Sequence, residues 1–310
     1  MATEPILTAF DAGTLQRPRG LVRLGGWCDY WSLTKPEVNV LIVIATGIAF
    51  WIGCPTPSAH VPWALLFETV FGTLLVASGA AALNQSLERR FDAQMRRTAS
   101  RPLAAGRIKP LPAFLFGTMM ALAGGLYLAV AVRPAASLLA LLTLAAYLFL
   151  YTPLKRRTAM CTFVGAFPGA MPVLIGYVAA GGKLDSRAWL LYAILFLWQF
   201  PHVMAIAWMY REDYERAGFK VLPPNGQAAR FMAWQSVLPA AALVPVTTVP
   251  LLLRPVNLPV AVVTLLLSVS FLYLAGRLAL VRTKPFARRL LLFSIAYLPI
   301  VFALQVLAES

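Results

Sequence analysis

Long apolar runs alternate with short polar segments along nearly all of this 310-residue chain. A helix needs about 20 apolar residues to cross a bilayer, and roughly 17 at the short end. Runs of that order occupy residues 38–53, 61–83, 111–132, 135–151, 161–180, 188–209, 232–253, 256–280 and 290–307. They lack the period-two alternation of transmembrane strands. The pattern predicts an all-α fold, a polytopic transmembrane helix bundle of about nine helices.

Composition agrees. The chain is 60% hydrophobic and 13% charged, whereas a soluble domain is roughly 45–50% apolar and about 25% charged. The net charge of +15 is informative by position rather than as a total. Of 27 Lys and Arg, 23 lie before the first run, after each even-numbered run, or at Arg277 near the end of the eighth. The opposite connections hold only Arg133, Lys183, Arg187 and Arg254. The positive-inside rule therefore predicts a cytoplasmic N-terminal segment over residues 1–37, an external C-terminus and a single membrane domain over 38–307. It also removes the main support for a nucleic-acid partner. The first twenty residues carry Glu4 and Asp11 and no apolar core, unlike a signal peptide or an acid-poor presequence. Cys28, Cys54 and Cys161 are far apart and form no CxxC pair, which predicts free thiols.

Two polar clusters break the apolar pattern. The second run passes directly into NQSLERRFDAQMRRTASRPL, residues 84–103, with two acids and five arginines. The sixth passes into YREDYERAGFKVLP, residues 210–223, so the two form a weak repeat four helices apart. At about 100° per residue, Asn84, Glu88 and Asp92 fall within roughly an 80° arc of one helix face. Oxygen donors in such a row can share Mg²⁺, a hard cation that completes its shell with water and phosphate. Arg96, Arg97 and Arg101 stand where they could clamp phosphate oxygens. Glu212 and Asp213 offer a second acidic site beside Arg211, Arg216 and Lys220, and Lys155, Arg156 and Arg157 follow on the same side. Carboxylates, magnesium, bases and apolar walls together suit ionisation of a lipid diphosphate. The plainer alternative is that these charges are interfacial anchors for lipid phosphate.

Several motifs then agree in order and spacing: Asn84-xxx-Glu88-xxx-Asp92 with Met95, Arg97, Thr98, Arg101, Pro102 and Leu103; Tyr151-Thr152-Pro153-Leu154-Lys155-Arg156 with Thr158; Gly165, Pro168, Gly169 and Pro172 with Ile175 and Gly176; Pro201-His202; and Asp213-Tyr214 with Ala217, Gly218, Leu222 and Pro223. Across roughly residues 30–225 the chain resembles the UbiA-type intramembrane prenyltransferases, and among them those that farnesylate heme. The resemblance implies helices around a central cavity and a Mg²⁺-diphosphate site on Asn84, Glu88, Asp92 and Asp213, with Glu212 less directly matched. It implies that Arg97, Arg101, Lys155 and Arg156 hold pyrophosphate and that Tyr151, His202 and Tyr214 contact substrate. The implied substrates are farnesyl diphosphate and heme b. The farnesyl cation would alkylate a vinyl group and water would capture the new cation, giving heme O. A bacterial inner-membrane location follows, as does a heme A synthase or oxidase-maturation partner. Two departures stand out. Glu88 replaces the usual Asp, and Tyr210 and Tyr214 occupy acidic places of the second motif.

Other residues carry balanced readings. His202 suits heme iron or pyrophosphate, against a structural histidine hydrogen-bonded within the bundle. His60 reads as plain loop. Glu68 is a polar group within the second run, near its outer end. The Gly and Pro of residues 165–176 signal close packing and a kink, with a widened porphyrin pocket as the second reading. Trp27, Tyr30, Trp31, Trp63 and Trp189 read as interface belts. Two rivals are prenylation of an aromatic or quinone-precursor ring and secondary transport, whose acids belong near the bilayer centre.

Overall fold

A computed structural model describes residues 26–55, 61–223, 226–252 and 258–308. Residues 1–25, His60 and Arg254 lie outside the described residues, so the readings given to them there have no structural counterpart. Among the described residues nine helices are long and apolar enough to cross a membrane, and no strand occurs.

A short helix α1 (Trp27–Leu33) precedes the first span, α2 (Pro36–Gly53). Then come α3 (Trp63–Asp92), α4 (Pro110–Tyr127), α5 (Pro134–Ala145), the single turn α6 (Thr152–Leu154), α7 (Cys161–Ala179) and α8 (Ser186–Met209). The surface helix α9 (Arg211–Arg216) leads to the last three spans, α10 (Ala228–Leu252), α11 (Leu258–Val281) and α12 (Lys284–Leu307). Proline opens α2, α4, α5 and α12 in the first turn, where its missing N–H costs no hydrogen bond.

The bounds differ from the hydropathy runs at the polar ends. Helix α3 continues nine residues beyond its apolar run, through Asp92. Helix α12 begins six residues before its run, because Lys284, Arg288 and Arg289 lie on its interfacial first turns. Helix α1 belongs to the segment read as N-terminal extension. Its exposed Trp27 and Trp31 are 93% and 67% accessible, while Tyr30 packs edge-on to Phe116 at 5.1 Å and Asp29 accepts from Arg107 at 2.8 Å.

Helix α3 packs on α4, α2 on α7, and α8 on α7, α10 and α12. Small residues set these approaches, as expected where lipid removes a hydrophobic drive between helices. A Cβ on Gly79 would meet the Ala121 amide and the Gly117 carbonyl at 2.6 Å. One on Gly176 would overlap the Thr46 carbonyl of α2. The main core gathers Phe271, Tyr297 and Phe302 of α11 and α12 with Leu191, Ile194 and Met204 of α8. Leu111, Met119, Leu122, Leu126 and Val130 face outward along α4 and its continuation.

Candidate functional site

The helical extension of α3 past its apolar run builds the first half of the site. Asn84, Glu88 and Asp92 are 1%, 6% and 1% accessible, although two of them carry charge. Buried charges persist only with partners, and each has one. Lys155 Nζ donates to both Glu88 oxygens at 2.9 and 3.0 Å. Arg101 Nη1 lies 2.9 Å from each Asp92 oxygen. Asn84 accepts from Lys35 Nζ at 3.4 Å and donates to Thr152 Oγ1 at 3.2 Å.

The second half comes from the segment after α8. Asp213 accepts from the Arg97 backbone N–H at 3.2 Å and from Arg216 at 2.9 Å. Burial works against its charge, but the N–H groups of Arg97 and Arg96 and the Arg216 guanidinium hold its carboxyl below the usual range. The Arg97–Asp213 contact joins residues 116 apart in sequence and puts both acidic clusters at one end of the bundle. Two more contacts reinforce it. Lys220 N–H donates to the Lys155 carbonyl at 2.7 Å, and Phe91 packs edge-on to Phe219 at 5.7 Å.

Tyr210 and Tyr214, at the acidic places of the second motif, hold a cation instead of binding one as carboxylates. The Arg97 guanidinium lies 4.9 Å from the Tyr210 ring centroid and 5.9 Å from that of Tyr214, and donates to the Tyr214 hydroxyl at 3.3 Å. Arg156 lies 4.2 Å over Phe91. Glu212 is not brought to this cluster: it is exposed and pairs with Lys284 at 3.2 Å. Glu68 is half-buried near the start of α3, at the opposite end of that helix from Glu88 and Asp92.

Below the charged end lies a cavity of about 400 Å³ between α2, α3, α5, α7 and α8. Lys35, Asn39, Tyr147, Tyr151, Trp198, Gln199 and His202 reach it through walls that are otherwise apolar apart from Thr73, Thr143 and Thr162. Residues 146–151 form a π-helical turn, a feature frequent at functional sites. It brings the Tyr147 and Tyr151 rings to 5.4 Å in a tilted pair, and Lys155 Nζ sits 4.6 Å over the Tyr151 ring. Gly165 makes room for that ring, since a Cβ there would come within 2.5 Å of it. Gly165, Pro168, Gly169 and Pro172 line the cavity, so both readings of this stretch, close packing and a widened pocket, apply.

Lys35, Tyr147 and Ser294 are absent from the residues singled out by sequence. Lys35 caps α2 in the left-handed region at φ 51°, a conformation that costs a non-glycine residue about 1–2 kcal/mol. Burial pushes its ammonium down to about 7, and Arg101 and Lys155 push the same way. Burial also works against charge on Lys155, but Tyr151 and Glu88 raise its pKa above the ordinary value.

The donor set fits a hard divalent cation. Asn84, Glu88 and Asp92 offer oxygens along one helix face, and Asp213 joins them through the Arg97 contact. Among the described residues no three Asp, Glu, His or Cys side chains converge on one point. A cation there would complete its shell from water and phosphate oxygens, as magnesium commonly does.

Comparison with known proteins follows the same lines. The model of the UbiA prenyltransferase family matches residues 40–298. A protein of Solibacter usitatus named protoheme IX farnesyltransferase is 47% identical over 285 residues, covering 90% of this chain and 98% of that one. Proteins of the same name from Salinibacter ruber and Koribacter versatilis are 42% and 39% identical, covering 89% and 91% of this chain and 96% and 93% of theirs. Among solved structures, a UbiA homolog from Archaeoglobus fulgidus bound to GPP and Mg²⁺ superposes with a TM-score of 0.66 at 15% identity, over 89% of this chain and 99% of that one. The apo structure of a UbiA homolog from Aeropyrum pernix K1 gives 0.66 at 18% identity, over 87% and 98%. These two likenesses show the fold.

Proposed function

The chain belongs to the UbiA prenyltransferase family, and from that premise we propose that it transfers the farnesyl group of farnesyl diphosphate to a vinyl group of heme b, giving heme O. The name shared by its relatives supports the acceptor and donor. The observation that carries the reading is the meeting of two distant acidic segments, through Arg97 and Asp213, over one apolar cavity.

Asn84, Glu88, Asp92 and Asp213 would hold magnesium, with Glu212 outside this set unless it leaves Lys284. When bound, magnesium neutralises diphosphate oxygens and stabilises the charge developing on the departing pyrophosphate. Lys155 and Arg101 now neutralise the carboxylates and would turn to phosphate oxygens as those carboxylates take up the cation. Arg97, steadied by two tyrosine rings, and Arg156 add to the same pole. Tyr147 and Tyr151 line the chamber beside this pole, where aromatic quadrupoles would favour an allylic cation. The apolar walls keep water from it. His202 lines the same chamber deeper down.

The site opens to the cytoplasm, following the distribution of Lys and Arg, within one membrane domain over residues 38–307. The acids lie at helix ends rather than mid-span, which favours this reading over transport. The test is purified protein given heme, farnesyl diphosphate and magnesium, with mass spectrometry of the porphyrins. Farnesylated heme should form, and chelation with EDTA should stop it. Prenylation of an aromatic acceptor with heme left unchanged would overturn the reading.

A further inference from the structure

His202 stands in α8 seven residues before the helix end, about 10 Å deeper than the charged pole at 1.5 Å per residue. Its ring stacks on Trp198 at 4.5 Å and 25°. Ser294 of α12 anchors both rings: its carbonyl accepts from Trp198 Nε1 at 2.8 Å, and its hydroxyl oxygen lies 2.7 Å from His202 Nδ1. That hydroxyl has a single hydrogen, and it also lies 2.6 Å from the Leu291 carbonyl. A carbonyl only accepts. Both short contacts are hydrogen bonds only if Ser294 donates to Leu291 and His202 Nδ1–H donates to Ser294. The tautomer is thereby fixed, and the lone pair belongs to Nε2. Among the described residues the hydrogen bond of His202 is made through Nδ1, none is made through Nε2, and His202 lines the cavity.

We propose that His202 is the general base that takes a proton from the water molecule ending the reaction. This rests on the proposed farnesylation of a heme vinyl group. The farnesyl carbon bonds to the terminal vinyl carbon, consuming the π pair and leaving a cation on the carbon beside the porphyrin. The oxygen of water bonds to that carbon and one of its protons passes to Nε2, giving the alcohol and an imidazolium. The other titratable groups lining the cavity fit the task less well. Lys35 is held against Asn84, and Tyr147 and Tyr151 form a tilted pair with Lys155 over the Tyr151 ring. A positioned base contributes roughly 10²–10⁴-fold.

The test compares wild type with His202→Gln in nanodiscs, supplied with iron protoporphyrin IX, farnesyl diphosphate and magnesium. Heme binding is followed by the Soret band, pyrophosphate release by a coupled assay and porphyrins by mass. The variant should keep the wild-type Soret band and heme-dependent pyrophosphate release. Its hydroxylated product should fall about 100-fold, replaced by an alkene one water lighter as the same cation loses a carbon-bound proton to released pyrophosphate. Imidazole added to His202→Ala should restore the alcohol, which a merely structural histidine would not allow. Ser294→Ala, which frees the tautomer, should give a mixture of alcohol and alkene, and it serves should the His202 variants fail to insert. Wild-type alcohol yield in a folded His202 variant, or a Soret band displaced by loss of an axial ligand, overturns the proposal. Absence of any farnesylated porphyrin from wild type instead refutes the underlying reading.

Discussion

The Glu88–Lys155 pair separates architecture from chemistry. Its side chains are 8% and 12% accessible, so little solvent screens them. Glu88→Gln would strand an ammonium among Tyr151 and its neighbours, and Lys155→Met would strand a carboxylate. Removing one partner of a buried pair costs about 3–5 kcal/mol. The double variant strands neither charge, and replacing both partners of a buried pair by uncharged groups is often nearly neutral. A double-mutant cycle on thermal unfolding in detergent should therefore show coupling of about 6 kcal/mol or more, the sum of the two single losses less the near-zero loss of the double variant. Activity should behave differently. On the proposed site each residue would lose its own contact to the metal-diphosphate group, a loss worth about 10²–10³ in turnover, and restored stability should not restore it. Pyrophosphate release measured on the same preparations gives the comparison. A double variant that regains wild-type turnover would reduce the pair to a structural tie. Additive stability losses would refute the burial argument itself.

Asp92→Asn should abolish farnesyl transfer while the protein still inserts in the membrane; near-normal heme O in cells expressing it would count heavily against the site. Gly176→Val places side-chain atoms against the Thr46 backbone, which cannot swing aside as a side chain can. The folded yield in membranes should fall sharply, with a loss of about 1–3 kcal/mol or more expected for overpacking, and a normal yield would refute the close approach of α2 and α7. Asp185 caps α8 by accepting from the amides of Arg187 and Ala188. Burial opposes its charge, yet those amides and Tyr177 hold its carboxyl below the ordinary carboxylate range. Asp185→Ala should cost about 1 kcal/mol at pH 7. Because the native pKa is lowered, the carboxylate's contribution is present above the unfolded value near 4 and fades as pH falls through the native one. Unfolding midpoints of wild type and variant should converge there.

The nine spans were legible because each long apolar run has a single low-energy solution in lipid. The face formed by Asn84, Glu88 and Asp92 was legible because helical periodicity continues past the membrane boundary, even though hydropathy stops at residue 83. Lys35 was not, because its meaning comes from Asn84, 49 residues away. In sequence it is one more basic residue before a helix. Tyr147 was hidden by a π-helical turn that alters the local register. Ser294 looks like any small residue in an apolar span until α12 is packed on α8. The acidic pair Glu212 and Asp213 shows the opposite difficulty. Adjacent side chains on a helix point about 100° apart, and only packing reveals that Asp213 faces inward and Glu212 faces Lys284.

The self-neutralised cluster also constrains the order of arrival. Glu88, Asp92 and Asp213 are each already satisfied by a cation from the same chain, and Lys35 and Arg97 crowd the same pole. A lone divalent ion would meet no bare negative charge and several positive neighbours. An anion, by contrast, offers every guanidinium and ammonium a better counterion and releases the carboxylates in one exchange. On the proposed function the cluster would thus be latched against a metal ion arriving alone, and its key would be the metal and the lipid headgroup presented together.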